Sequence, residues 1–192
     1  TRAIAYLNAL CGSFDMKGGS VQVDGLGQQS LALYDEIPLR QLKRADGDKF
    51  PVMRDFRQEC NTMTALDAIL TGNPYSLKGM IMTAANPVIT NPNSEKVRKA
   101  LAALDLLVVR ELFMTESTGL ADYVLPAATF LERTELYVYG PIQTVSMSTR
   151  VQSIPGVQDE YQFWHDIAHR MDFGEYFPWE NESALNEWLL QS

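Results

Sequence analysis

Cysteine, histidine and long apolar runs are what this 192-residue chain has least of, and each shortage excludes something. Cys11 and Cys60 stand far apart with no CxxC pattern. An iron–sulfur cluster or structural zinc needs several thiolates or imidazoles converging on one site, and too few are present. Nothing in the sequence argues for a disulfide between the two. His165 and His169, the only imidazoles, fall at i and i+4 on a predicted helix, the spacing of one arm of a zinc site. No HExxH pattern and no third ligand accompany them, so a packing or solvent-facing role is the better reading. No stretch approaches the roughly 18 apolar residues a membrane span needs, and no basic-then-apolar start reads as a signal peptide. Direct membrane insertion is not expected. Positive charge is also short: 16 Lys and Arg against 24 Asp and Glu give a net charge of -8, which opposes binding to a phosphate backbone and makes nucleic acid an unexpected partner. Neither GxGxxG nor GxxxxGK[ST] occurs, so a conventional NAD or P-loop site is unsupported.

What is present is a chain with 46% hydrophobic residues, enough to bury roughly 70% of its unfolded surface. Residues 1 to 11 carry Ile4, Leu7 and Cys11 at helical spacing, with Gly12 where a helix is commonly closed. The chain begins inside that helix without an initiator Met, so a natural N-terminus is expected to be missing. Lys17-Gly18-Gly19 makes a turn. Residues 20 to 60 lack a sustained period and read as an irregular crossing segment with short helical turns, one around Leu39 to Lys43. A loop that long inside a compact domain suggests packing against something outside the chain.

From Thr64 the pattern changes. Leu66, Ile69 and Leu70 predict a short helix ended at Gly72-Asn73-Pro74, and the apolar run from Gly79 to Ala84 reads as a buried parallel strand. Asn91 or Asn93 caps a helix through about Leu104, then Leu106 to Val109 form a second strand. A helical turn from Thr115 to about Gly119 precedes a third strand, Tyr123 to Leu125, closed by Pro126. This succession predicts an α/β fold, a Rossmann-like parallel sheet with flanking helices. An irregular N-terminal segment (1–60) precedes this core (61–135), and an extended connection with C-terminal helices (136–192) follows it. Residues 136 to 153 alternate weakly and are expected to run extended, away from the sheet. Helices follow at Tyr161 to Met171 and at about Ser183 to Leu190, the last exposing Leu185, Trp188 and Leu189 unless a partner covers them.

In an open parallel sheet, ligands bind beyond the carboxyl ends of the strands. Three loops are selected: Ala84 to Thr90, Arg110-Glu111, and Ala127 to Thr129 with Glu132 and Arg133. Ala84 and Ala85 let a ligand approach the backbone, a following helix N-terminus favours an anion, and Asn86 can both donate and accept. Glu111 can accept the paired N1–H and N2–H donors of guanine, which adenine does not present, or it can grip ribose hydroxyls. A solvated strand-end acid, or a partner for Arg110, is an equally open reading of Glu111.

Taken together, KGMIMTAANPVITNPNSEKVRKAL from Lys78, then LDLLVVRELFMTEST and LADYVLPAATFLER, resemble an ordered series of motifs in the molybdopterin oxidoreductase family of the dimethyl-sulfoxide-reductase type. The match is close over about residues 64 to 133. RAIAYLNALCGSFDMKGG and YQFWHDIAHRM are similar to flanking family segments. The resemblance implies one of the α/β domains that, in whole enzymes, embrace a bis(molybdopterin guanine dinucleotide) cofactor carrying molybdenum or tungsten. By the same resemblance, Asn86 with Pro87, Arg110 with Glu111, Thr115, Arg133 and Glu160 are the candidate cofactor-binding residues, with no catalytic residue and no metal ligand. An iron–sulfur cluster is implied for the parent but not for this chain. The implied partners are the remaining domains of the parent, and its iron–sulfur and membrane-anchor subunits. Family members act on either side of the bacterial inner membrane, so no compartment is specified. Departures from the family pattern are also visible. Glu111 and Glu160 stand where Asp is usual, and Ala84 where Gly is common. Glu135, Leu136 and Tyr139 replace a frequent Gly-Thr and Asn, which is more similar to the polysulfide, thiosulfate and arsenate reductase branch or its hydratase and transhydroxylase relatives. The chain alone is expected to be inactive. A stand-alone guanine-nucleotide or assembly module, or a segment of a non-redox hydratase or transhydroxylase, is the alternative.

Overall fold

A computed structural model describes residues 2–21, 27–32, 43–47, 49–53, 55, 59–139 and 144–191. The helical turn expected near Leu39 to Lys43 falls largely outside the described residues. Helix α1, Arg2–Leu10, is closed by Gly12 in the left-handed region (φ 65°). The Gly-Gly turn that follows is as read from the sequence, and it has a steric cause. A Cβ on Gly19 would lie 2.1 Å from the Ser13 carbonyl oxygen.

Helix α2, Thr62–Thr71, starts at Asn61, whose side chain accepts from the Met63 and Thr64 amides, and ends at left-handed Gly72. Strand β1, Gly79–Thr83, leads to the single turn α3, Pro87–Thr90, and then to helix α4, Ser94–Leu101. Asn93 caps α4, its side chain accepting from the Lys96 amide, while Asn91 closes α3. Strand β2, Leu106–Glu111, a 3₁₀ turn at Thr118–Leu120 and strand β3, Tyr123–Pro126, complete the unit. The three strands pair in the order β1-β2-β3, all parallel, with Met82 level with Val109 and Val109 level with Val124. The fold is thus α/β, a parallel sheet flanked by helices. Its core forms where Met82, Leu107 and Val109 on one face meet Leu66 and Ile69 of α2 and Val97, Ala100 and Leu101 of α4.

The segment expected to run extended away from the sheet pairs with itself. Strands β4, Glu135–Tyr139, and β5, Thr144–Ser148, form an antiparallel ladder. The chain then comes back: Gln158 makes an isolated parallel bridge to Ala127, just past β3, and helix α5, Glu160–Arg170, follows. Helix α6, Glu182–Leu189, does not project its apolar stripe into water as the sequence suggested. Leu185, Trp188 and Leu189 are half-buried, and Trp188 packs against Trp179 at 4.7 Å between ring centroids. Arg150 ties these parts together, donating to Asp159 at the start of α5 and to Glu182 at the start of α6. Among the described residues no helix is long and apolar enough to cross a membrane.

Candidate functional site

Because β1, β2 and β3 are parallel, their carboxyl ends gather the three candidate loops at one edge. Asn86 follows β1 and Glu111 ends β2, so both belong to that edge. Ala84 leaves β1 with φ 51°, in the left-handed region, and its amide donates to the Arg110 carbonyl. The sharp turn explains why glycine suits this place, since a Cβ in that conformation costs about 1 kcal/mol. The anion-favouring helix expected after this loop is only the four-residue α3, whose aligned dipole is small.

Asn86 precedes α3 but does not cap it through its side chain. Its Nδ2 donates to Glu116 at 3.0 Å, and its Oδ1 accepts from the Ser117 hydroxyl at 2.7 Å. Pro87, the first residue of α3, is buried. The Asn86 hydrogen bond holds the exposed Glu116 carboxyl below its usual range. Thr115 exchanges bonds with Thr118: its amide donates to the Thr118 hydroxyl at 2.6 Å, and its carbonyl accepts from that hydroxyl at 2.8 Å. Thr115 thereby closes the 3₁₀ turn.

Strand β2 runs two residues further than read from the sequence, so Arg110 and Glu111 lie within it and not in a loop. Alternation then sends the two side chains to opposite faces. Glu111 keeps one carboxylate oxygen on the Leu112 amide at 2.7 Å and is partly exposed at the edge. Arg110 is 1% exposed. Its guanidinium donates to Glu160 and to the Gln158 carbonyl, and lies 4.3 Å from the centroid of the Phe163 ring. Glu160 also accepts from the Trp164 indole at 3.2 Å. Arg110 and Glu160, separated by 50 residues in sequence, are therefore partners that clamp α5 onto the sheet.

Arg133 pairs with Glu135 at 2.7 Å, while its Nε is buried without a partner among the described residues. With Glu160, Trp164, Tyr176 and Trp179 it lines a cavity of about 460 Å³ between β4, α5 and α6. A second orphaned polar atom, Thr83 Oγ1, lies at the last residue of β1. Leu112, Phe113 and Met114, immediately beyond β2, are exposed, the last two at 74% each. Among the described residues no cluster of three or more His, Cys, Asp and Glu is disposed to hold a metal ion. His165 and His169 lie in contact, ring centroids 4.2 Å apart and planes tilted by 42°, and both cysteines are free and exposed.

The residues that sequence reasoning missed here are Glu116 and Ser117. Their signal was a polar Thr-Glu-Ser-Thr run after an apolar strand, which identified a turn but not its contact with a loop 30 residues earlier.

Fold and edge together define a Rossmann-like α/β unit whose loops converge at the carboxyl end of a parallel sheet, the place where such sheets take ligands. The family model for molybdopterin oxidoreductase matches residues 2–170, and the chain belongs to that family. It is 24% identical over 196 residues to a thiosulfate reductase molybdopterin-containing subunit of Salmonella typhimurium, covering 94% of this chain and 26% of that protein. It is 34% identical over 127 residues to acetylene hydratase of Syntrophotalea acetylenica, covering 66% of this chain and 17% of that one. The solved structure of acetylene hydratase from Pelobacter acetylenicus superposes with a TM-score of 0.78 at 24% identity, over 98% of this chain and 30% of that chain, which speaks for the fold. The chain thus spans about a quarter or less of the length of these two curated relatives.

Proposed function

We propose that this chain is the cofactor-binding α/β segment of a larger molybdenum or tungsten enzyme, and that the carboxyl edge of its sheet contacts the guanine dinucleotide part of a bis(molybdopterin guanine dinucleotide) cofactor. The observation that carries the reading is the convergence of Asn86 and Glu111 on one edge, next to the small residues Ala84 and Ala85. The residues fit such a group. Glu111 has a carboxylate oxygen that no described donor occupies and can accept guanine's adjacent N–H donors, Asn86 supplies an amide, and the orphaned Thr83 Oγ1 awaits a polar neighbour. When bound, the metal centre supplies redox or Lewis-acid chemistry, while this chain's residues bind and orient the organic part.

On this reading Asn86, Glu111 and Arg133 face the cofactor. Arg110 and Glu160 hold α5 and the edge in register, and Pro87 and Thr115 shape the loops. The chain supplies no ligand to the metal, and turnover requires the remaining domains. The likeness to the thiosulfate reductase subunit favours a place in that branch, with iron–sulfur and membrane-anchor subunits as partners of the whole enzyme. The 34% identity to acetylene hydratase favours a second reading, a non-redox hydratase, and an assay of the intact enzyme separates the two.

Calorimetry with guanosine and adenosine diphosphates tests the site. A bidentate carboxylate–guanine pair is expected to give about tenfold preference for the guanine nucleotide, lost in Glu111→Ala. Equal or absent binding of the two nucleotides, with Glu111→Ala indistinguishable from wild type, would remove the assignment.

A further inference from the structure

The side-chain amide of Asn86 has a direction, and the groups around it show which. Glu116 is fully exposed and ionised near neutral pH, so its carboxylate can only accept, and the atom 3.0 Å away from it is Nδ2. Oδ1 then faces Ser117 at 2.7 Å, and the Ser117 hydroxyl must donate. That residue is completely buried, and its oxygen accepts the Val88 amide at 3.3 Å. Val88 is in the first turn of α3, where an amide has no acceptor within the helix. The series therefore runs one way: Val88 N–H to Ser117, Ser117 O–H to Asn86, Asn86 N–H to Glu116. Turning the amide over would point Oδ1 at a carboxylate and leave the buried hydroxyl proton without an acceptor, an arrangement that burial makes costly.

We propose that Ser117 is a positioning residue that locks Asn86 with its NH₂ group outward, so that the edge offers a donor at Asn86 and an acceptor at Glu111. This rests on the cofactor-edge reading above and divides the labour within it. The ligand atom meeting Asn86 is an oxygen acceptor, of a phosphate or of a purine carbonyl, and the ligand's N–H groups go to Glu111. Ser117 touches no ligand and acts through Asn86 alone. Asn86 Nδ2 has a second hydrogen, and among the described residues no acceptor takes it.

Nuclear magnetic resonance on the nitrogen-15-labelled 192-residue chain tests the relay, with the Asn86 NH₂ pair identified by its loss in Asn86→Asp. In wild type the NH₂ protons should show contacts to Glu116 side-chain protons. Glu116→Lys, at an exposed position, replaces a group that only accepts by one that only donates. Because the buried Ser117 hydroxyl still needs Oδ1 as its acceptor, the amide should keep its direction, and the NH₂ contacts should stay on the side chain at position 116. In Ser117→Ala the pair should collapse to the shifts of a solvated asparagine. Guanosine diphosphate and guanosine then serve as probes. The diphosphate should bind about tenfold more weakly to Ser117→Ala. Unchanged guanosine binding assigns the acceptor to phosphate, and parallel loss assigns it to the purine carbonyl; both outcomes uphold the relay. Asn86 signals unmoved in Ser117→Ala, or an amide turned over in Glu116→Lys, overturn it. Should Ser117→Ala fail to fold, Glu116→Lys carries the test through the same signals. If wild type binds neither probe, the cofactor-edge reading fails, while the resonance arm still decides whether the amide is locked.

Discussion

Val109 and Arg110 are neighbours in β2 and both are all but inaccessible to water, yet they point to opposite faces of the sheet that are held by different means. On the Val109 face, β1 and β2 meet α2 and α4 through an apolar cluster from Leu66 to Val109. That contact is non-directional, worth about 1.5–3 kcal/mol for each large side chain removed from water, and it tolerates small shifts. On the Arg110 face a single guanidinium is surrounded by the Glu160 carboxylate, the Gln158 carbonyl and the Phe163 ring. A buried charge is tolerated only when its donors are matched, so this contact is directional and admits α5 in one place. The apolar face builds the sheet, and the polar one aligns a distant segment with its carboxyl edge. A third region differs from both: α1 exposes Ile4, Leu7 and Leu10 among the described residues.

Substitution by the same residue on the two faces should separate them. Arg110→Met keeps much of the volume but leaves the Gln158 carbonyl and the Glu160 carboxylate without their donor. We expect a loss of about 3 kcal/mol in chemical denaturation, with α5 becoming the first site of limited proteolysis. Leu107→Met on the opposite face, also 1% exposed, changes shape at nearly constant volume and should cost about 1 kcal/mol by the same measurement, without new cleavage at α5. Equal losses would mean that the guanidinium is only filling space. The smallest effect is expected at the edge itself. Ala84→Gly relieves a left-handed residue with a Cβ, partly offset by the greater freedom of glycine when unfolded. It should raise stability by about 0.5 kcal/mol in thermal unfolding, and a decrease would show that the methyl group packs more than the turn strains.

Much of the architecture was legible. The apolar runs from Gly79 to Ala84, Leu106 to Val109 and Tyr123 to Leu125 mark the three parallel strands, and an asparagine cap, at Asn93, marks where α4 begins, because each signal is local. The two extra residues of β2 were less visible, since arginine and glutamate resemble a loop by polarity, and only the pairing of Thr83 with Arg110 and of Glu111 with Pro126 extends the strand. The β4–β5 hairpin was foreseen as extended chain but not as a ladder, for weak alternation does not specify a partner.

The succession of strands and helices through the parallel sheet, the family, and the nearness of Asn86 and Glu111 to the carboxyl ends of adjacent strands were determined by the sequence alone, because hydrophobic period and capping chemistry act over a few residues. Tertiary structure decided what those residues face: that Arg110 meets Glu160 and Phe163, that α6 covers its tryptophan with Trp179, and that Ser117 meets Asn86. Those pairings join residues up to 53 positions apart, as with Arg110 and Phe163. Their energies depend on distance and direction, which emerge only once the sheet has brought its elements together.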